Sequence, residues 1–217
     1  MPDVLTLRIV TTNHPVDAAV AEARRAGFLP GVDVVALPAG LDAERVNALL
    51  AGAAPGEGAP VMALLDRPAE GIAGGDLGMV QRADPPDPAA PAGGLSVLLG
   101  ERAVPYDPRA FVPAWAMTFL RLQRYGGRFR HVIAASGPST DLRYAAVAAR
   151  AATAALTVLG TPDQIFRMLG PRDAAGVPAS RDLRIAVGGG GHRLLRVVDP
   201  TTGDTLAELP LRPGDAR

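Results

Sequence analysis

Cysteine is absent from the 217 residues, which excludes a disulfide, a thiolate nucleophile and a thiolate-ligated metal. Lysine is absent as well, so all 22 basic residues are arginine. Any mechanism that needs an amine falls with it, whether a Schiff base, a phosphate-loop lysine or a lysine proton relay. Net charge is also missing: 22 acidic residues bring the formal charge to zero. Bulk attraction to nucleic acid or to an anionic membrane therefore has no basis. No window approaches the roughly 18 apolar residues of a membrane helix. The opening MPDVLTLRIVTT lacks a basic region followed by a long apolar core, so no secretion signal is expected. These absences lead to the expectation of a cytoplasmic protein with no membrane and no nucleic-acid partner.

What is present reads as alternating strands and helices. Leu5 to Val10 is a first apolar strand, followed by a turn in which Asn13 caps a helix and Pro15 takes an early helical position. That helix covers Val16 to Ala26, and a second strand covers Val32 to Leu37. Asp42 caps a helix through Leu50, and Val61 to Leu65 is a third strand. Strands that are apolar throughout point to a parallel sheet covered on both faces. Residues 66–94 read as an irregular Pro/Gly-rich loop, with a short edge strand at Leu77 to Val80. Leu95 to Leu99 then resumes the sheet. Arg109 to Tyr125 reads as a helix whose buried face is Phe111, Trp115, Phe119 and Leu122.

The stretch Gly127 to Leu159 looks central. His131 to Ala135 is a strand, Ser136-Gly137-Pro138 a turn, and Asp141 caps an alanine-rich helix that continues to Leu159 and is closed by Gly160. A short helix follows at Asp163 to Leu169. After a PRDAAGVPAS linker come three short strands, Leu183 to Val187, Arg193 to Val198 and Thr205 to Leu209, joined by hairpin turns. The fold expected is an α/β, doubly wound, mostly parallel (Rossmann-like) domain over 1–175. A small C-terminal antiparallel β-meander over 182–210 completes it.

Asp66 after the third strand, GRFRHVI at Gly127 to Ile133, and Tyr144 on the helix beyond Ser136 resemble the short-chain dehydrogenase/reductase family. The resemblance covers residues 5–159 and is mainly one of layout. It implies a Rossmann-like sheet, NAD(P) as cofactor, and Ser136 and Tyr144 as catalytic residues. Asn13, His14 and Asp66 would be cofactor-binding. The chain departs from the family at four places, one of them an interval from Ser136 to Tyr144 shorter than the family usually shows. The turn Thr11-Thr12-Asn13-His14-Pro15 has no glycine to admit a pyrophosphate. Leu98-Leu99-Gly100-Glu101 stands where the family has its asparagines. Ala148 replaces the lysine that would lower the tyrosine pKa from about 10.

The tail resembles a second family. Arg196-Val197-Val198-Asp199-Pro200-Thr201-Thr202-Gly203-Asp204 and Leu209-Pro210 are similar to the end of the flagellar FlaG family. That resemblance implies flagellar components as partners and no enzymatic role. A generic hairpin closed by a glycine bulge uses the same residues.

His14, His131 and His192 share no ligand spacing, so no metal site is expected. His14 reads as a surface capping residue that faces the nucleotide position, and His131 as a hydrogen-bonded core residue. Ser136 and Ser139 lack a nucleophile elbow and read as turn residues. Gly188 to Gly191 is not followed by Lys-Ser or Lys-Thr and is no phosphate loop. Arg121, Arg124, Arg128 and Arg130 read as solvated faces, with an anionic-ligand or partner patch as the alternative. The combined reading is a non-catalytic Rossmann-like protein with a binding or assembly role, no bound cofactor, homo-oligomeric and flagellum-associated through its tail. The alternative is an NAD(P)-dependent oxidoreductase that uses Ser136 and Tyr144.

Overall fold

The computed structural model describes residues 4–29, 31–41, 43–51, 56–83, 94–170, 174, 177 and 194–210. Its first five elements are β1 (Val4–Thr11), α1 (Pro15–Arg25), β2 (Asp33–Leu37), α2 (Ala43–Ala51) and β3 (Pro60–Ala63). Then come β4 (Leu77–Arg82), β5 (Leu95–Leu99), β6 (Arg102–Pro105), β7 (Phe111–Pro113), β8 (Ala116–Thr118) and α3 (Phe119–Leu122). The last six are β9 (Phe129–Ala135), α4 (Leu142–Ala151), β10 (Ala152–Gly160), α5 (Pro162–Leu169), β11 (Leu194–Val198) and β12 (Thr205–Pro210). The fold is α/β with two sheets, one of seven strands in the order β12-β11-β1-β10-β9-β2-β8 and one of five in the order β6-β5-β4-β3-β7. Two compact units result: Met1–Gly27, Val35–Leu41 and Met117–Arg217 form the first, and Phe28–Val34 with Asp42–Ala116 the second.

In the seven-stranded sheet β11, β1, β10 and β9 are mutually parallel, and β12 adds to β11 antiparallel. Register sets the two faces. Val197, Leu7, Leu156 and Val132 stand side by side and are all buried, while the next row is Val198, Arg8, Thr157 and Ile133. Helix α1 covers part of the second face, where Arg8 reaches Glu22 of that helix at 2.7 Å. The connections β9–α4–β10 and β10–α5–β11 travel along the sheet in the direction opposite to β1–α1–β2. Right-handed crossovers therefore place α4 and α5 over the apolar face.

Several expectations hold. The α1 helix begins at Pro15, and Asp141 caps α4 by accepting the Tyr144 N–H at 3.1 Å. The short helix expected at Asp163 to Leu169 is α5, and a capping box not read from the sequence opens it: the Thr161 side chain takes the Gln164 N–H while the Gln164 side chain takes the Thr161 N–H. Asn13, expected as the α1 cap, does not fill that place; His14 does, without a side-chain cap bond.

The alanine-rich helix does not reach Leu159. It stops at Ala151, and Ala152 is already extended at φ −82 and ψ 141. The residues beyond, ATAALTVLG, are rich in β-branched and large apolar side chains and pair with both β1 and β9. The helix needs no glycine stop, because the Gly127 and Arg128 N–H groups take the carbonyls of Arg150 and Ala151.

The helix expected over 109–125 is also absent. Phe111, Val112 and Pro113 pair with Ala63, Met62 and Val61 as β7, at the edge of the five-stranded sheet, where a proline costs no ladder bond. Ala116 to Thr118 is β8, and only Phe119–Leu122 is helical. The 4, 4, 3 spacing of Phe111, Trp115, Phe119 and Leu122 thus runs through a strand and a bend into the two ends of a one-turn helix.

The second unit holds the other correction to a single parallel sheet. Its strands β3, β4, β5, β6 and β7 are antiparallel throughout. β3 is buried at every position, so its composition matches that of a parallel core strand. The strand expected at an edge, β4, lies inside the sheet between β3 and β5. One face packs Val61, Val80, Val97, Val104 and Phe111.

In the same unit the buried Asn47 side chain pairs with the backbone of Ala116, giving to its carbonyl at 3.1 Å and taking its N–H at 2.8 Å. Asp42, all of 84–93, Leu183 to Val187, Gly188 to Gly191, His192, Arg193 and most of the PRDAAGVPAS stretch lie outside the described residues. Among those described, no helix is long and apolar enough to cross a membrane.

Candidate functional site

In open α/β sheets, ligands collect outside the carboxyl ends of the strands, where the connections diverge. In the first unit those ends are Thr11 of β1, Ala135 of β9 and Gly160 of β10. The connections after β1 and β10 leave toward opposite faces. The crevice between them is closed by a Thr12 N–H bond to the Gly160 carbonyl at 2.8 Å. The His14 N–H is likewise used within the turn, on Thr12 Oγ1 at 3.1 Å. Pro15 has no N–H to offer. The backbone donors of Thr12 and His14 are therefore spent and Pro15 has none. Asn13 and His14 are both exposed in this turn.

Ser136 follows β9 and is 1 % exposed. Its hydroxyl donates to Gln164 Oε1 at 2.8 Å, and the same oxygen takes the Thr161 N–H of the α5 capping box. The close approach has a sequence signature at Gly160: any Cβ there would collide with the Ser136 side chain. Glycine is required for proximity here, since its φ is not in the left-handed region.

Tyr144 lies one turn into α4, 4 % exposed. Its hydroxyl sits 2.7 Å from the Ala135 carbonyl and 2.8 Å from the Ala36 carbonyl, sharing one proton between the ends of β9 and β2. Burial pushes the phenol well above its ordinary value of 10.0. Ser136 and Tyr144 are therefore near one another along the chain, but each is bonded to a different part of the scaffold. Asp66 belongs to the second unit, where it is exposed and its Oδ1 accepts the Gly74 N–H at 2.7 Å.

A groove of about 360 Å³ opens at the carboxyl ends of β2 and β9. Pro38, Ala39, Phe119, Leu120 and the Tyr144 ring form its apolar surface, with Phe119 and Tyr144 tilted against each other at 6.0 Å between centroids. Gln123, Ser139, Thr140, Asp141 and Arg143 supply its polar rim. Thr140 is turned inward, its hydroxyl donating to the Gly137 carbonyl at 2.8 Å. Sequence reasoning missed this groove because Phe119 and Leu120 were assigned to a long helix. The exposed Leu120 beside Phe119 was the available signal.

The opposite face of the sheet carries a polar cluster. Glu22 accepts from Arg8 at 2.7 Å and from Arg25 at 2.6 Å, and Arg8 also donates to the Pro200 carbonyl at 2.6 Å. His131 meets Thr157 Oγ1 through Nε2 at 2.8 Å, which accounts for a histidine inside an apolar strand. Burial raises the Glu22 pKa, and the Arg8 guanidinium offsets this in part. Among the described residues no group of three or more His, Asp or Glu side chains could hold a metal ion. No protein-family model matches the chain, and no curated protein resembles it significantly in sequence.

Proposed function

We propose that this chain is a Rossmann-like, non-catalytic protein of the cytoplasm that acts by binding or assembly. The observation that carries the reading is the commitment of the two candidate hydroxyls. Ser136 Oγ serves the α5 capping box and Tyr144 Oη ties β9 to β2. A phenol whose pKa is driven upward by burial is a poor proton relay near neutral pH, because proton transfer is most effective when the group's pKa lies near the working pH. The glycine-free turn after β1, with the N–H groups of Thr12 and His14 already paired, supports the same reading. Homo-oligomers and flagellar components are the partner classes it carries, the second through the resemblance of the tail. NAD(P)H oxidation with a panel of carbonyl substrates tests the non-catalytic half. No turnover above the buffer rate is expected; turnover that disappears in Tyr144→Phe would overturn the reading.

A further inference from the structure

The groove beside α3 and α4 combines three features that define a ligand class. Its surface is apolar, and Leu120 is 60 % exposed there, an uncovered large side chain on a one-turn helix. Its volume of about 360 Å³ lies at the small end of ligand pockets. Its rim offers two donors. Arg143 lines the groove, is exposed, and forms no ion pair among the described residues, and the Ser139 hydroxyl is likewise exposed. The one acid on the rim, Asp141, already spends Oδ1 on the Tyr144 N–H.

The arginine that lines the groove is Arg143. A planar guanidinium matches a carboxylate through two parallel hydrogen bonds.

We infer that this groove binds a small monocarboxylic acid with a compact aromatic or branched aliphatic body. The body lies on Phe119, Leu120 and Pro38, and the carboxylate takes hydrogen bonds from Arg143 and Ser139. The inference names a ligand for the binding role proposed above and rests on that role.

Phenylacetate is the test probe and phenylacetamide its neutral counterpart, each titrated into the full chain and followed by heteronuclear NMR. Saturable shifts are expected at the amides of Leu120, Ser139, Asp141 and Arg143 with phenylacetate alone. Arg143→Gln, at an exposed position that leaves the fold intact, should weaken binding about tenfold, the loss of a charge-assisted hydrogen bond. The inference is overturned if those amides do not move, if phenylacetamide binds as tightly, or if Arg143→Gln binds phenylacetate like the parent. Failure of the ligand inference without NAD(P)H turnover would leave the non-catalytic reading standing. Turnover with intact phenylacetate binding would remove that reading and keep the ligand site.

Discussion

On one face of the seven-stranded sheet Val197, Leu7, Leu156 and Val132 make an unbroken buried row; on the other, the adjacent row includes Arg8 and Thr157. The first face is covered by α4 and α5 and held by apolar burial, which is non-directional and tolerant of small shifts. The second is only partly covered: Val4, Thr6, Arg8 and Val10 of β1 all retain some exposure. Toward β9 it is packed as well, with Ile133, Leu159 and the Ala19, Val20 and Ala23 side of α1 buried, but at β1 its contacts are directional, Arg8 joining the strand to Glu22 of α1 and to the Pro200 carbonyl beyond β11. A single sheet thus uses packing alone on one side and adds specific charge pairing on the other.

The comparison is broken most severely from the apolar side. Leu156→Ala removes a fully buried side chain from the centre of the row and should cost about 4 kcal/mol in urea unfolding. A loss below about 1 kcal/mol would mean that this face is not the packed one.

Glu22→Ala should cost somewhat less, about 3 kcal/mol, because it strands the Arg8 guanidinium in a largely buried place. The pH dependence sharpens the point. Burial raises the folded-state pKa of Glu22 above 4.5. Its contribution to stability is therefore full below about that pH and declines as pH rises through the raised value. Subtracting the stability profile of Glu22→Gln from that of the parent isolates this slope. A difference that instead rises with pH would show that the ion pair outweighs burial.

The smallest effect belongs to the turn that presents Pro200 to Arg8. Asp199 Oδ1 accepts the N–H groups of Thr201 at 2.7 Å and Thr202 at 3.0 Å. The Thr202 bond, then the Thr201 bond, holds its pKa below 3.8. The turn keeps this support at neutral pH and loses it as pH falls through the depressed value. The Thr201 and Thr202 amide shifts should titrate together with a midpoint below 3.8, and Asp199→Ala should abolish that titration. A midpoint at or above 3.8 would dissociate the turn from the carboxylate.

Elements governed by local chemistry were legible in the sequence. Pro15 at the start of α1, Asp141 before α4 and Asp199 to Gly203 between β11 and β12 each act within a few residues of their own position. What depended on distant partners was not legible. Ala151 ends a helix only because Gly127 and Arg128 reach its last turn, and no residue nearby announces the stop. Pro60 to Ala63 is buried at every position, so it looks the same whether its neighbours run parallel or antiparallel. The candidate site divides in the same way. Ser136 and Tyr144 stood out as polar residues after a strand, but their partners Gln164, Ala36 and Ala135 were set by the tertiary fold.

The direct passage from α4 into β10 leaves the chain little slack. Ala151 is the last helical residue and Ala152 the first of the strand, and the one extra residue there is held in a bulge, where Ala152 to Ala155 spans Phe129 to His131. An insertion that the bulge does not take up either unwinds the last turn of α4 or slips β10 by one position. A slip would send Leu156 and Val158 to the polar face and bring Thr157 under the helices, since successive strand residues point to opposite sides. Length therefore carries structural information at this junction: it works as a ruler that keeps α4, with its groove, in phase with the sheet.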